Sequence, residues 1–515
     1  MKLPWPLLMG FAAALAGCAV GPRYRSPAPD LPPAFAAAAQ AAATAPAGAP
    51  TPAGMPVRAV DLAAWWQELD DPEHNSLVDR AIKSNPDLEV ALTRLQQART
   101  YETVVIGHAL PEVDASGAAA RGTGNDLSRG RAEQGLVSAD NSAGLQHINL
   151  IGGFDAVWEL DIFGKLRREI EAARADTQAA AAARNGVLTT VVADVVRAYI
   201  DLRGFQIRTG ILRQATDVLR ESLRIVNIRY QRGITNELDV ALATRELDTL
   251  EAQLEPAEAQ VAAAQYALAT LLGEYPENMV RELSPPNLIP SMPGPVSAGV
   301  PLELLKRRPD ILEAERELAA ATARIGVATA NLFPEVAVVG SIGEQAQGWG
   351  TTPHIPKHIW SFGPAAVWPL LDFGALDAQV NVAQLEAHAA LVNYKKTILN
   401  AVQEVDDSVD SYQAEQDRLK HLGEAMLAGQ RAVDLATERY NRGLTDFLNV
   451  VDAERQFYDL QEQYAAAQVA QGESFVQLYK SLGGGWQNYQ TLPPIRQPQP
   501  AIIAAFRRAL TSSAP

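Results

Sequence analysis

The chain has 515 residues, 47% of them hydrophobic and 20% charged. That is too polar for a bundle of membrane helices and long enough for one extended architecture or two to three domains. The net charge of −16 argues against nucleic acid as a partner, because phosphate binding needs Lys and Arg to displace counterions.

The N-terminus reads as a secretory signal over residues 1–17. Lys2 supplies a basic start, and Leu7 to Leu15 an apolar stretch too short to span a bilayer. Leu15-Ala16-Gly17-Cys18 follows, and Cys18 is the only cysteine. A thiol at that place can take a diacylglyceryl thioether, and the new amine left by cleavage can be acylated as well. Several acyl chains meet the two-signal requirement for stable anchoring. The competing reading is an ordinary signal peptide with an unrelated cysteine. No internal disulfide framework is possible with one thiol. Residues 18–60, rich in Pro and Ala, read as an extended segment leading away from that anchor, without a core of its own.

From there the chain is a duplication. Arg229-Tyr230-Gln231-Arg232-Gly233-Ile234-Thr235 returns as Arg439-Tyr440-Asn441-Arg442-Gly443-Leu444-Thr445, and Trp158, Phe163 and Gly164 return at the same offset as Trp368, Phe373 and Gly374. Upstream, Asn85-Pro86-Asp87-Leu88 corresponds to Arg308-Pro309-Asp310-Ile311, and Pro111-Glu112-Val113 to Pro334-Glu335-Val336. The offset changes only between the Pro-Glu-Val and Trp landmarks, which places a longer surface loop in the first copy. The first repeat is assigned to residues 61–300 and the second to 301–485, with a tail at 486–515.

Each copy predicts helix, strand pair, very long helix, tight turn, long helix. The strand pairs fall at about residues 111–162 and 334–372. Phe154, Ala156, Trp158 and Leu160 alternate with Asp155, Val157, Glu159 and Asp161; Trp360, Phe362, Pro364, Ala366, Trp368 and Leu370 alternate likewise. One apolar face carrying Trp and Phe, opposed by a small or polar face, is an outer-membrane strand pattern, with Phe154, Trp158, Trp360, Phe362 and Trp368 at the membrane interface. A soluble hairpin packed on helices is the alternative. Two hairpins supply four strands, which cannot close a barrel, so subunits in lipid must complete one another: two chains give eight strands, three give twelve.

No proline occurs between Pro111 and Pro256 or between Pro369 and Pro493, so residues from about 165 to 232 and 375 to 442 are predicted as nearly continuous helices. Each would reach roughly 100 Å. Gly204 and Gly210 are candidate bends in the first. The return helices carry a heptad, Val240, Leu247, Leu254, Val261 and Leu268 in one copy and Val450, Phe457, Tyr464, Gln471 and Leu478 in the other. Pro256 is expected to kink the first of them. The tips near 233 and 443 follow helix-hairpin logic: glycine closes one helix and threonine caps the next.

No nucleotide-binding loop, catalytic serine elbow or zinc motif is present, and no enzyme activity or cofactor is expected. His354 and His358 have a metal-like spacing that Pro356 interrupts. The acidic run Glu404, Asp406, Asp407 and Asp410 reads equally as a tunnel lining or a solvated face.

The Leu-Ala-Gly-Cys start with Gly21-Pro22-Arg23-Tyr24, the Trp65-Trp66 pair before Asp71-Pro72, the duplicated hairpins and Gly483-Gly484-Gly485-Trp486 together resemble the TolC-like outer-membrane factors. Within them the chain looks closest to the lipoprotein branch serving resistance-nodulation-division pumps. The resemblance covers about residues 15 to 490. It departs at His74-Asn75, where the family usually has a leucine. It implies a mainly α fold with a small β part: a homotrimer whose twelve strands form one barrel, continued by a long α-helical barrel of coiled-coil hairpins. It further implies a passive conduit for small molecules such as drugs, set in the outer membrane. The partners implied are a periplasmic adaptor (a membrane fusion protein) and an inner-membrane resistance-nodulation-division pump. The adaptor would contact Gly233, Ile234, Thr235, Gly443, Leu444 and Thr445. Leu448, Asp452 and Arg455 occupy the family's periplasmic gate, with Leu238, Leu242, Asp239 and Arg245 near the equivalent places of the first copy. Asp452 would form an acidic ring and Arg455 a tether, and Asp239 with Arg245 a second tether. An outer-membrane channel for type I protein or polysaccharide secretion shares nearly all these features. A lipid-anchored coiled-coil scaffold explains the heptads and Cys18 but leaves the Trp-bearing strand pairs without a purpose.

Overall fold

Where proline is withheld, a helix can run for as long as its side chains find neighbours, and here that sets the architecture. A computed structural model describes residues 19–28, 62–123, 146–293, 306–349 and 357–489, with positions 32, 35, 36, 125, 126, 138, 139, 303, 352 and 353. A 3₁₀ segment, Leu62–Leu69, precedes helices α1 (Pro72–Ser84) and α2 (Pro86–His108). Strands β1 (Glu112–Thr123) and β2 (Gln146–Leu160) lead into α3 (Lys165–Gln231), α4 (Glu237–Leu272) and the short α5 (Pro276–Glu282). The second copy gives α6 (Pro309–Ala330), β3 (Glu335–Trp349), β4 (Lys357–Val367), α7 (Ala375–Asn441) and α8 (Leu448–Ser481). Both α3 and α7 have 67 residues, and neither is interrupted. Helix α4 continues through Pro256. The chain divides into two compact units. One holds residues 97–179 and 314–394 with the described residues 19–28; the other holds the described parts of 29–96, 180–313 and 395–515.

In the first unit the four long strands form one antiparallel sheet in the order β1-β2-β3-β4, so the two copies meet at β2 and β3. The register aligns Ala115, Phe154, Ile342 and Trp360 in one cross-strand row, and Val113, Ala156, Gly340 and Phe362 in the next. Residues paired across strands share a face, so the apolar side chains of both copies make one continuous surface. The opposite face carries Asp114, Asp155, Ser341 and Ser361, tied by Ser116 Oγ donating to Asp155 at 2.7 Å and by a 2.8 Å Ser341–Ser361 hydroxyl contact. Among the described residues neither β1 nor β4 has a strand on its outer edge.

The duplication also fixes how the strands join the helices. Trp158 Nε1 donates to the Ala109 carbonyl at 3.2 Å, and Trp368 Nε1 to the Leu332 carbonyl at 3.0 Å. Each acceptor lies two residues before a Pro-Glu-Val proline. Asp161 accepts from the backbone N–H of Leu166 and Arg167, and Asp372 from those of Gly374 and Leu376, so a carboxylate serves the N-terminus of each long helix.

Residues 19–28 have no helix or strand and are bonded to other elements of the first unit. Val20 N–H donates to the Phe163 carbonyl at 3.0 Å, and the Arg168 guanidinium donates to the carbonyls of Val20 and Gly21. The Tyr24 hydroxyl donates to Glu315 at 2.8 Å while Arg316 lies over its ring. A strap with so few apolar side chains is held by backbone and charge-assisted bonds instead.

The second unit is centred on Trp65, which stacks on Tyr479 at 5.1 Å and meets Phe475 edge-on at 5.9 Å. The Gly-Gly-Gly-Trp segment closes over it: Gly485 N–H donates to the Leu62 carbonyl at 2.8 Å, and Trp486 Nε1 to the Arg307 carbonyl at 3.0 Å. Packing thus continues past Gly485, and Tyr489 stacks on Trp66. Buried Arg308 holds Asp310, Glu404 and the Ser481 carbonyl together. The heptad of α4 packs on α3 through Leu212, Leu219, Leu247 and Leu250.

Gly204 is a notch in this packing, not a bend: a Cβ there would collide with Val469 Cγ2 of α8. Gly204→Leu should therefore cost about 1–3 kcal/mol by overpacking. Gly210 has nothing within 4 Å of a built Cβ. Gly210→Ala should leave the protein unchanged or gain up to about 1 kcal/mol of helix stability. Thermal melts of both variants by circular dichroism check the contrast; equal effects would refute it.

Candidate functional site

Two helix-hairpin tips lie in the second unit. At the first, Gly233 has φ +67°, Gly233 N–H donates to the Tyr230 carbonyl and Ile234 N–H to that of Arg229, both at 2.9 Å. The second tip repeats this at Gly443, with φ +71° and bonds from Gly443 and Leu444 to Tyr440 and Arg439, again at 2.9 Å. This is the glycine-closed helix end, in which a left-handed residue turns the chain back onto the last carbonyls. Ile234 and Leu444 project outward, 62% and 64% exposed in the single chain, so each tip exposes one apolar side chain.

Threonine does not cap the return helices. Asn236 caps α4, its side chain accepting from Asp239 N–H at 3.1 Å, while the Thr235 hydroxyl bonds the Asp239 carboxylate. At the second tip Phe447 occupies the cap position and offers no side-chain acceptor, and Thr445 Oγ1 accepts from Asn449 at 2.6 Å. Burial of Phe447 explains the exchange. It packs on Tyr440 at 5.2 Å, within a cluster of Val226, Ala243, Val450 and Val451, and Arg229 lies 4.3 Å from the Tyr440 ring centre. Apolar burial and a cation–π contact do there what the capping bond does at the first tip.

Leu448, Asp452 and Arg455 share the exposed face of α8, spaced by four and three. Asp452 accepts from Gln456 Nε2 at 2.8 Å, and among the described residues Arg455 has no ion-pair partner. The two do not pair with each other, so an ordinary surface i, i+3 ion pair is not what this spacing serves. Asp239 and Arg245 are likewise apart: Arg245 contacts Glu246 at 3.3 Å, and Asp239 is engaged by Thr235.

The interface aromatics Phe154, Trp158, Trp360, Phe362 and Trp368 are all exposed. The first four lie on strands, and Trp368 just beyond β4. Cys18 and His354 lie outside the described residues, and His358 contacts Glu344 at 3.2 Å. Among the described residues no cluster of three metal-ligating side chains occurs. Glu404 of the acidic run is committed to Arg308.

One residue was missed by inspection of the sequence. Glu454 stands between Val450 and Phe457 at i, i+4, i+7, an acid within an apolar stripe, and that interruption is its only signal. Its Oε2 is buried with no hydrogen-bond partner among the described residues. Burial pushes the carboxyl up to about 7, and a hydrogen bond with Ser222 opposes this. The folded state thus holds the proton more tightly than the unfolded chain. Its destabilising contribution is absent at low pH, grows as pH rises from about 4.5 towards 7, and is constant above. Glu454→Gln should raise the melting temperature at pH 8, by a stability gain of at most roughly 3 kcal/mol, and give no such gain at pH 5. A pH series of melts tests this; a gain independent of pH would contradict it.

Comparison with known proteins joins these surfaces. The profile of the outer membrane efflux protein family matches residues 77–274 and 300–484, one segment in each repeat. Nodulation protein T of Rhizobium leguminosarum bv. viciae is 29% identical over 501 residues, covering 97% of this chain and 96% of its own. The pyoverdine export outer membrane protein OpmQ of Pseudomonas aeruginosa is 30% identical, over 84% of this chain and 89% of its own. The solved outer-membrane channel OprN superposes with a TM-score of 0.79 at 35% identity, over 91% of this chain and all of that one. The open state of the Neisseria gonorrhoeae MtrE outer membrane channel superposes at 0.73 with 25% identity, over 92% and 100%. The chain belongs to the outer membrane efflux protein family, and it is an efflux channel component of the outer membrane.

Proposed function

We propose that three copies of this chain form one channel, and that it works as the passive exit duct of a tripartite pump exporting small molecules. The observation that carries this reading is the four-stranded sheet with a continuous apolar face and two open edges. In hydrocarbon such edges leave backbone groups unpaired, and twelve strands from three chains remove them. The homology to a pyoverdine exporter favours small molecules over proteins as cargo. Transport energy comes from an inner-membrane resistance-nodulation-division pump, and a periplasmic adaptor docks on the tips at Gly233, Ile234, Thr235, Gly443, Leu444 and Thr445. The chain needs neither catalysis nor a cofactor for this role.

In the same reading Cys18 carries the lipid that holds the chain in the outer membrane. Leu448 and Asp452 narrow the periplasmic end at the three-fold axis, and Arg455 ties each α8 to a neighbouring subunit. That Arg455 has no ion-pair partner among the described residues supports that tether. Asp239 and Arg245 act as a second tether only if a neighbouring chain draws Asp239 from Thr235.

Two outcomes are expected. Asp452→Ala and Arg455→Ala each raise single-channel conductance in planar bilayers and admit large antibiotics to cells; unchanged conductance in both would remove the gate assignment. Cys18→Ser abolishes incorporation of labelled palmitate and lowers the outer-membrane fraction. Undiminished labelling would show that the lipid sits elsewhere.

A further inference from the structure

Beside Glu454 lies a partly open cavity of about 210 Å³ lined by α3, α4, α7 and α8. Its apolar wall is Val218, Leu219, Leu250, Val433, Val451 and Phe457. A dry cavity of about 150 Å³ already holds benzene, so this one has room for an aromatic ring with a short side chain. Into the apolar wall is set one carboxyl whose Oε2 is buried and has no donor among the described residues. Ser222 gives the carboxyl one hydrogen bond; a ligand ammonium would add the positive charge that a carboxylate set among apolar side chains lacks.

We infer that this cavity is a binding site for a small organic monocation, an ammonium group on an aromatic or apolar body, with the Glu454 carboxylate as its counter-charge. Three other ionisable groups line the cavity. From α4, Glu246 adds a second carboxylate, held by Arg245 at 3.3 Å. From α8 come Arg455, on the exposed face, and Tyr458, whose hydroxyl burial pushes up to about 12, so that it stays neutral. Neither α3 nor α7 contributes an ionisable side chain to the lining. Within its own chain Arg455 makes no ion pair with Glu454 and so does not already fill the role. The site stands on contacts inside one chain and does not depend on the gate assignment. It lies on the inward side of α8, one helical turn or less from Asp452 and Arg455, so an occupant also bears on how α8 lies against α3.

The test is equilibrium dialysis of phenethylammonium against the full-length protein in detergent, with protein-free micelles subtracted and neutral 2-phenylethanol in parallel. The amine stays charged between pH 6 and 8, so any pH dependence belongs to the protein. Saturable binding of the amine at pH 8 is expected, about tenfold weaker at pH 6, as protonation of Glu454 removes the counter-charge. Glu454→Gln, close to isosteric, should weaken binding about tenfold or more at pH 8 and flatten the pH dependence. Val218→Trp, at a half-exposed wall position, should abolish binding by filling the cavity. Uptake no greater than that of empty micelles, or equal saturable binding of the alcohol, would overturn the proposal. So would amine binding that survives Glu454→Gln or Val218→Trp unchanged.

Discussion

Inside hydrocarbon no water is available to a backbone N–H or C=O, and a sheet placed there must pair every strand it has. Among the described residues this chain provides four long strands. Their inner order is settled within the chain, because β2 of the first copy pairs with β3 of the second over their full lengths. Their outer order is not, since β1 and β4 each leave one ladder open. Solubility considerations push the same way. An exposed, flat strand edge invites association, and among the described residues β1 and β4 each present one. The duplicated gene product is thus half an answer by construction, and lipid supplies the pressure to complete it.

Duplication gave two tips and two long helices with one backbone design, and divergence then separated their uses. Both tips close through a left-handed glycine with the same pair of bonds. Beyond that point they part. The first caps its return helix with Asn236, while the second spends the cap position on Phe447 and gains a packed core against Tyr440 and Arg229. Asp452 is displayed where the first copy has Leu242, and Asp239 is drawn into a local bond with Thr235. Two hairpins of equal shape therefore carry unequal surfaces.

Much of this was legible in the sequence because it is written in local periodicity. The two long helices follow from withheld proline, the tips from Arg-Gly-Ile-Thr and Arg-Gly-Leu-Thr, and the two-faced sheet from alternation around Trp158 and Trp360. What escaped depends on partners far along the chain. Nothing near Gly204 announces Val469, so a packing notch reads as a bend. Nothing in Arg23-Tyr24 announces Glu315 and Arg316, so a pinned strap reads only as an extended lead from the anchor. Glu454 shows in the sequence only as an acid interrupting an apolar stripe, and nothing there announces Ser222 or the apolar wall. The mistaken threonine cap is of another kind: the Thr235 hydroxyl bonds the Asp239 carboxylate, and the neighbouring Asn236 takes the cap.

The strap has a consequence for the lipid proposed at Cys18. Ala19 lies against Gly164, and Val20 is bonded to Phe163, at the junction where β2 ends and α3 begins. One residue spans only about 3.8 Å, so acyl chains on Cys18 would enter the bilayer within a residue's reach of that junction. An anchor so short has almost no slack. A lipid there would act as a depth gauge, setting the level at which the sheet rides in the membrane, and lengthening the anchor by insertion would change draught before it changed attachment.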